Sequence, residues 1–244
     1  MVFKLRKNKK QDLNKINLIL DNIPLKQCGA NFETKSIKFL GIMIDSNLDW
    51  GEHINYVGNK IRKIIFSLKQ IKKIFPYGLR IQLFKSLFMP HIEYGIEAYG
   101  SAKGIGRLAK LQKWGIRTAA NSKYNAHTEP IYKVNNIIKI EDLYKLKCMT
   151  LIRKKIDNET PTVISNMFIY HEKKNRKHHV IEQHFPCNKL IDSLPSYIIP
   201  RIWNANRPND LNASVKIFKA NQKTNYLHEY NSKCTKKSCY ICST

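Results

Sequence analysis

The chain has 244 residues, of which 43% are hydrophobic, and its 43 Lys and Arg against 18 Asp and Glu leave a formal charge of +25. That length accommodates one good core or two small ones, the apolar content excludes a disordered chain, and the charge favours a polyanionic partner, because a compact body this basic repels itself until neutralised. No run of roughly 18 apolar residues exists and the N-terminus lacks the apolar segment of a signal peptide, so the sequence reads as soluble and intracellular, with no membrane association.

Residues 1–10, MVFKLRKNKK, read as a solvated basic tail. Between Ile16 and Leu25 two short apolar runs flank Asp21-Asn22, a pair that tolerates the left-handed conformation of a turn. From Ile37 to Asp45, Ile37, Phe39, Ile42 and Ile44 alternate as one strand. Gly41 interrupts it, which permits either a bulge or the close approach of another backbone. These segments together predict a small antiparallel sheet of about three strands. Asp45 to Trp50 then turns the chain, and a helix opens at His53-Ile54. Strand, tight turn and basic helix suit the holding of a polyanion, although a hairpin that merely caps the helices after it has the same pattern.

In the first helix Ile54, Val57, Ile61, Ile64, Ile65, Leu68 and Ile71 recur at steps of three and four and form one apolar stripe, while Arg62, Lys63, Lys69, Gln70 and Lys73 fall on the other side. Phe75-Pro76-Tyr77-Gly78 ends it. The second helix, Leu79 to Met89, is apolar around most of its circumference and is expected to be enclosed by others until Pro90 kinks or stops it. Tyr94 and Tyr99 follow, rings that either stack on a base or sugar or fill the core, with the core favoured. The third helix, Ile105 to Ala120, sets Lys110, Lys113 and Arg117 in one angular sector with Trp114 beside them, opposite Ile105, Leu108, Ile116 and Ala119. Three cations at steps of three and four beside an indole suit a phosphate backbone. A solvated face explains those cations but not the tryptophan.

His127 lies in a loop with no carboxylate or serine spaced to make it a base, and reads as structural. The helix from Glu141 to Ile156 begins with acids and ends with Arg153, Lys154 and Lys155, as its dipole favours. Asp157 to Pro161, DNETP, is the strongest boundary signal and divides the chain into residues 1–50, a helical segment 51–157 and a basic extension 158–244. HEKKNRKHH at 171–179 is a positive cluster of the kind that binds nucleic acid, directs nuclear import or does neither. A last amphipathic helix, Val215 to Tyr226, is expected to dock this extension back.

Cys28, Cys148 and Cys187 are scattered and read as reduced. Cys234, Cys239 and Cys242 form a Cys-x4-Cys-x2-Cys tail with His228 upstream, a candidate set for one zinc ion. The fold class expected is α+β: a small antiparallel β element at the N-terminus followed by a mainly α-helical bundle.

The same residues carry a resemblance. Phe39-Leu40-Gly41, Ile44-Asp45, Leu48, Trp50, His53-Ile54 and Lys60 resemble the end of the reverse transcriptase region of non-LTR retrotransposons, the jockey-like and other LINE-type elements. Leu83, Ser86-Leu87, Pro90, Tyr94-Gly95 and Tyr99-Gly100 are similar to that family's thumb segment, as are Leu111-Gln112-Lys113, Ile116-Arg117, His127-Thr128 and Pro130. Trp203-Asn204, Ser214, Phe218-Lys219, Tyr226-Leu227 and Tyr230 look like its C-terminal segment.

The resemblance implies a palm edge at residues 1–50, with a primer grip at Phe39, Leu40 and Gly41, and a thumb whose nucleic-acid-binding residues include Arg62, Lys63, Lys69, Lys73, Lys110, Lys113, Trp114 and Arg117. The partners implied are RNA and DNA as a primer–template duplex, and a catalytic palm encoded upstream or supplied by another chain. The location implied is nuclear. Magnesium belongs to that palm and not to this chain. The family's paired aspartates, which hold two metal ions for nucleotidyl transfer, have no counterpart, since no Asp-Asp pair occurs in the sequence. The Cys tail does not match the family's Cys-Cys-His-Cys zinc knuckle. Two readings therefore stand: the C-terminal part of an RNA-directed DNA polymerase that positions primer and template, and a stand-alone, sequence-nonspecific nucleic-acid-binding protein derived from such an element. A relic with no selected function is a third.

Overall fold

The computed structural model describes residues 19–20, 23–24, 36–45, 48–168, 170–171, 180–181, 194–206 and 213–230. It is α+β, a small antiparallel β element ahead of a helical body. The expected three-stranded sheet is instead two separate hairpins: β1 (Ile19–Leu20) pairs with β2 (Ile23–Pro24), and β3 (Ser36–Phe39) with β4 (Ile42–Asp45). The strand expected over 37–45 is folded in half at Leu40-Gly41, where φ is 44° and 87°. A two-residue turn with two positive φ values matches the twist of antiparallel strands, and it leaves the alternation of apolar residues unbroken, so alternation alone hides it. A third pair, β5 (Tyr170–His171) with β6 (Val180–Ile181), lies in the extension.

Helix α1 (Gly51–Ile71) buries Ile54, Val57, Ile61, Ile65 and Leu68, with Ile64 and Ile71 partly covered, as the stripe predicts. Its start is organised by Asp45. The carboxylate accepts the backbone N–H groups of Asp49 at 2.9 Å and Trp50 at 2.8 Å, and so fixes the turn that leads into the helix.

The second helical run departs from expectation. It comprises α2 (Tyr77–Leu83), a π-helical turn (Phe84–Phe88) and α3 (Met89–Glu93), which follow without a break. Pro90 does not stop it, because the π turn resets the hydrogen-bond ladder and puts proline in the first turn of α3, where its missing N–H is not needed. Ile81, Phe84, Phe88 and Met89 are buried, but Leu79 and Leu87 are exposed, so the run is covered on one side only.

After α4 (Ile96–Tyr99), α5 (Ile105–Ala120) packs against α1 and the π turn. Two glycines allow this. Gly58 brings α1 onto Leu108 and Leu111, and Gly115 faces the stacked rings of Phe84 and Phe88, whose centroids are 4.4 Å apart. Gln112, fully buried, donates from Nε2 to the Ile138 carbonyl and accepts the Ile140 N–H on Oε1, both at 2.9 Å. It thereby fixes the link between α6 (Thr128–Val134) and α7 (Ile140–Ile156).

Beyond α7, α8 (Thr162–Ser165), α9 (Pro195–Asn206) and α10 (Val215–Glu229) complete the described chain. α9 and α10 both pack on α7, and one buried cluster runs from Ile54 through Met149 to Trp203, Phe218 and Tyr226. Asn204 bonds both backbone groups of Ile181, at 3.1 and 2.9 Å, and Arg153 pairs with Asp157 and donates to the Ala213 carbonyl at 2.9 Å. The bond from Arg153 to Ala213 ties the extension to α7 across the DNETP turn. No helix among the described residues is long and apolar enough to cross a membrane.

Candidate nucleic-acid interface

The pairing of α1 with α5 determines which cations stand together. Leu108 and Leu111 lie in the seam with Gly58, and Arg107 Nη1 donates to Asn55 Oδ1 at 3.0 Å across its outer rim. Helical spacing puts Arg62, Phe66 and Lys69 beside this rim on α1 and Trp114 beside it on α5, with Lys110 one step farther out. The two helices carry eight Lys and Arg against one carboxylate, Glu52. Arg62 bonds Asn59 Oδ1 at 2.7 Å, whereas Lys63, Lys69, Lys73, Lys110 and Lys113 have no ion-pair partner among the described residues. Phe66 is 62% exposed and Trp114 49%. The surface therefore interleaves unpaired cations with aromatic faces.

Arg117 departs from the expected phosphate-facing stripe. It is half-buried and donates from Nε to the Ala126 carbonyl at 2.7 Å, so it fastens the loop after α5. The spacing that groups it with Lys110 and Lys113 cannot reveal a carbonyl brought close by a later loop.

The β3–β4 hairpin is held to the helical body at two points. His53 Nδ1 accepts the Met43 N–H at 3.2 Å, and the Tyr94 hydroxyl donates to the Leu40 carbonyl at 2.5 Å. Tyr94 is thus an exposed clasp, against expectation, while Tyr99 is buried and bonds the Ile92 carbonyl as a core residue should. The sequence reading's grip residues sit at the hairpin tip, with Phe39 62% and Leu40 75% exposed and Gly41 against the Tyr94 ring.

Beneath that tip, between the hairpin, α1 and α3, is a cleft of about 340 Å³. Lys38 and Lys60 stand over the Tyr56 ring, with Nζ 5.5 and 4.6 Å from its centroid, and their hydrogen bonds and charge lower the phenol's pKa, Lys60 contributing most. His91 is held below the usual imidazole range by partial burial and by Lys60. His53, 1% exposed, is also held low by burial, and its Nε2 has no hydrogen-bond partner among the described residues. Among the described residues no carboxylate lines this cleft. Of the lining, sequence analysis assigns Leu40 and Gly41 to a primer grip, weighs Tyr94 as a stacking or core ring, and uses His53 and Lys60 only as motif positions. The i, i+4 step from Tyr56 to Lys60 was visible, but Lys38 and His91 arrive from other elements.

A second cleft, of about 290 Å³, gathers Lys85, Lys147, Lys219 and Lys223 around Glu93, and burial followed by Lys85 holds Lys223 below the usual lysine range. His228 is exposed near the end of α10, while Cys234, Cys239 and Cys242 lie outside the described residues, as does the basic run between His171 and Val180. Among the described residues no group of three or more His, Cys, Asp or Glu is gathered to hold a metal. Comparison with known proteins finds no matching family model, curated protein or solved structure.

Proposed function

We propose that the chain is a nucleic-acid-positioning module, the thumb and primer-grip part of a non-LTR retrotransposon reverse transcriptase, which holds an RNA–DNA primer–template for a catalytic palm outside these residues. The observation that carries the reading is the joined outer face of α1 and α5, where unpaired Lys63, Lys69, Lys110 and Lys113 alternate with exposed Phe66 and Trp114. Cations supply sequence-independent phosphate contacts, and exposed rings supply stacking or sugar contact. A solvated face accounts for neither ring.

The hairpin tip supports the same reading. Leu40 combines a left-handed backbone with three-quarters exposure, a costly placement for a leucine that gains no packing in return. A contact made by its side chain with a partner explains the retention of a residue that the turn itself does not want. The resemblance to reverse transcriptases of LINE type rests on the motifs quoted above. With no Asp-Asp pair in the sequence, nucleotidyl transfer is assigned to the palm and not to these residues.

Primer extension tests this reading against that of a stand-alone binding protein. Added to a palm of the same family, the chain is expected to restore processive extension on an RNA template. Tight duplex binding with no effect on extension favours the stand-alone protein, and absence of duplex binding at low salt overturns both.

A further inference from the structure

The cleft beneath the β3–β4 tip is chemically separate from the α1–α5 face, and we infer that it is an oxyanion site for a single phosphoryl group. Its donors come from three elements: Lys38 from β3, Lys60 and Tyr56 from α1, and His91 from α3. Two ammonium groups stand within 5.5 Å of the Tyr56 ring centroid, with no carboxylate in the lining among the described residues, an arrangement that repels itself when empty and is satisfied by a dianion.

The buried edge of His53 makes this more than a cluster of surface lysines. Its Nδ1 is occupied as an acceptor by the Met43 N–H, so the neutral ring carries its proton on Nε2. That N–H is buried, has no hydrogen-bond acceptor among the described residues and belongs to a residue lining the cleft, whose ring also meets Tyr99 edge to face at 4.6 Å. A buried donor without an acceptor costs free energy that a bound oxyanion would remove. A tetrahedral phosphoryl group offers oxygens to donors from several directions at once, and about 340 Å³ leaves room for the group it esterifies, beside the Tyr56 and Tyr94 rings. The phosphoryl group is either that of a nucleic-acid strand or that of a small phosphate compound. The assignment does not depend on nucleic acid binding at α1 and α5.

Titration calorimetry of the full chain with inorganic phosphate tests it. One phosphate per chain is expected, with affinity reduced at least about tenfold in Lys38→Gln/Lys60→Gln, as loss of two charge-assisted bonds implies. Lys38→Arg/Lys60→Arg should restore it, and the equal charge loss in Lys154→Gln/Lys216→Gln, on exposed positions outside the cleft, should leave it unchanged. In the unmodified chain, phosphate is expected to shift the imidazole proton and nitrogen resonances of His53 and His91, a reading that does not depend on any variant folding. Unshifted resonances, or equal phosphate binding by the cleft and control variants, would overturn the assignment. Competition identifies the source: a single-stranded oligonucleotide displaced by phosphate from the unmodified chain, and not from Lys38→Gln/Lys60→Gln, marks a strand phosphate. An oligonucleotide that stays bound while phosphate fills the cleft marks a small phosphate compound.

Discussion

Asp45 sits where the hairpin becomes a helix, and its two carboxylate oxygens each take one backbone N–H of the turn. Asp45→Ala removes both acceptors from a buried position, so urea unfolding should show a loss of about 1–3 kcal/mol. His53 is a second buried polar residue whose role is set by its surroundings. Burial lowers its folded pKa below the unfolded value near 6.5, so the unfolded chain binds the proton more readily. Its contribution is present in full above about pH 6.5 and is lost as pH falls through the folded pKa, because protonation of Nδ1 removes the acceptor for Met43. The melting temperature should therefore drop between pH 7 and pH 5. In His53→Asn, which keeps a non-titrating acceptor, the chain should be less stable overall but show a shallower drop over the same range. A slope identical in both proteins would assign the pH dependence elsewhere.

Neither role was legible in the sequence. Asp45 looked like one more turn residue and His53 like the first residue of a helix, because a side chain's hydrogen-bond partner is decided by where the turn brings the backbone. What the sequence did carry at this scale was apolar periodicity: every stripe residue of α1 from Ile54 to Leu68 faces inward or is partly covered. Periodicity failed where packing space and not pattern decides. Leu87 fits an all-apolar helix, yet it is half exposed, because α5 covers only the side of the π turn that carries Phe84 and Phe88.

Among the elements, the hairpin and α5 give the sharpest tests. The β3–β4 turn takes two left-handed residues, for which Asn-Gly is far better suited than Leu-Gly. Leu40→Asn should therefore raise stability by about 0.5–1 kcal/mol, since no buried surface is lost. If the leucine side chain contacts nucleic acid, the same variant should bind a primer–template more weakly. A variant that is more stable and binds equally well would remove the hairpin tip from the interface. On α5, Gly115→Ala places a Cβ 2.8 and 2.9 Å from Phe88 and Phe84, and overpacking against two stacked rings should lower stability by about 1–3 kcal/mol. The strand-turn-helix order was legible from residue 42 onward. The hairpin was not, because a two-residue turn keeps the parity of the side chains on either side of it.

Across the described molecule, the positive charge is not spread evenly. The outer face of α1 and α5, the cleft under the hairpin and the lysines around Glu93 are three separate concentrations, each contributed by elements distant in sequence. The net charge of +25 gives no indication of this division, which follows from the seam between α1 and α5 and from α3 turning back toward the β3–β4 hairpin. The structure also separates exposed cations with no ion-pair partner among the described residues from cations that hold the fold. Arg117 and Arg153 serve internal carbonyls, so their replacement should cost stability rather than affinity.

That separation gives the most direct measurement of the central claim: fluorescence anisotropy of a labelled RNA–DNA duplex over a salt series, with the unmodified chain, Lys63→Ala/Lys110→Ala/Lys113→Ala, and Arg117→Ala. Each phosphate engaged contributes about 0.7–0.9 to the slope of log K against log salt. The account predicts a steep slope for the unmodified chain, a slope shallower by roughly 2–3 in the triple lysine variant, and an unchanged slope in a less stable Arg117→Ala. A triple variant with the slope of the unmodified chain would contradict it, and would remove the α1–α5 face from nucleic acid altogether.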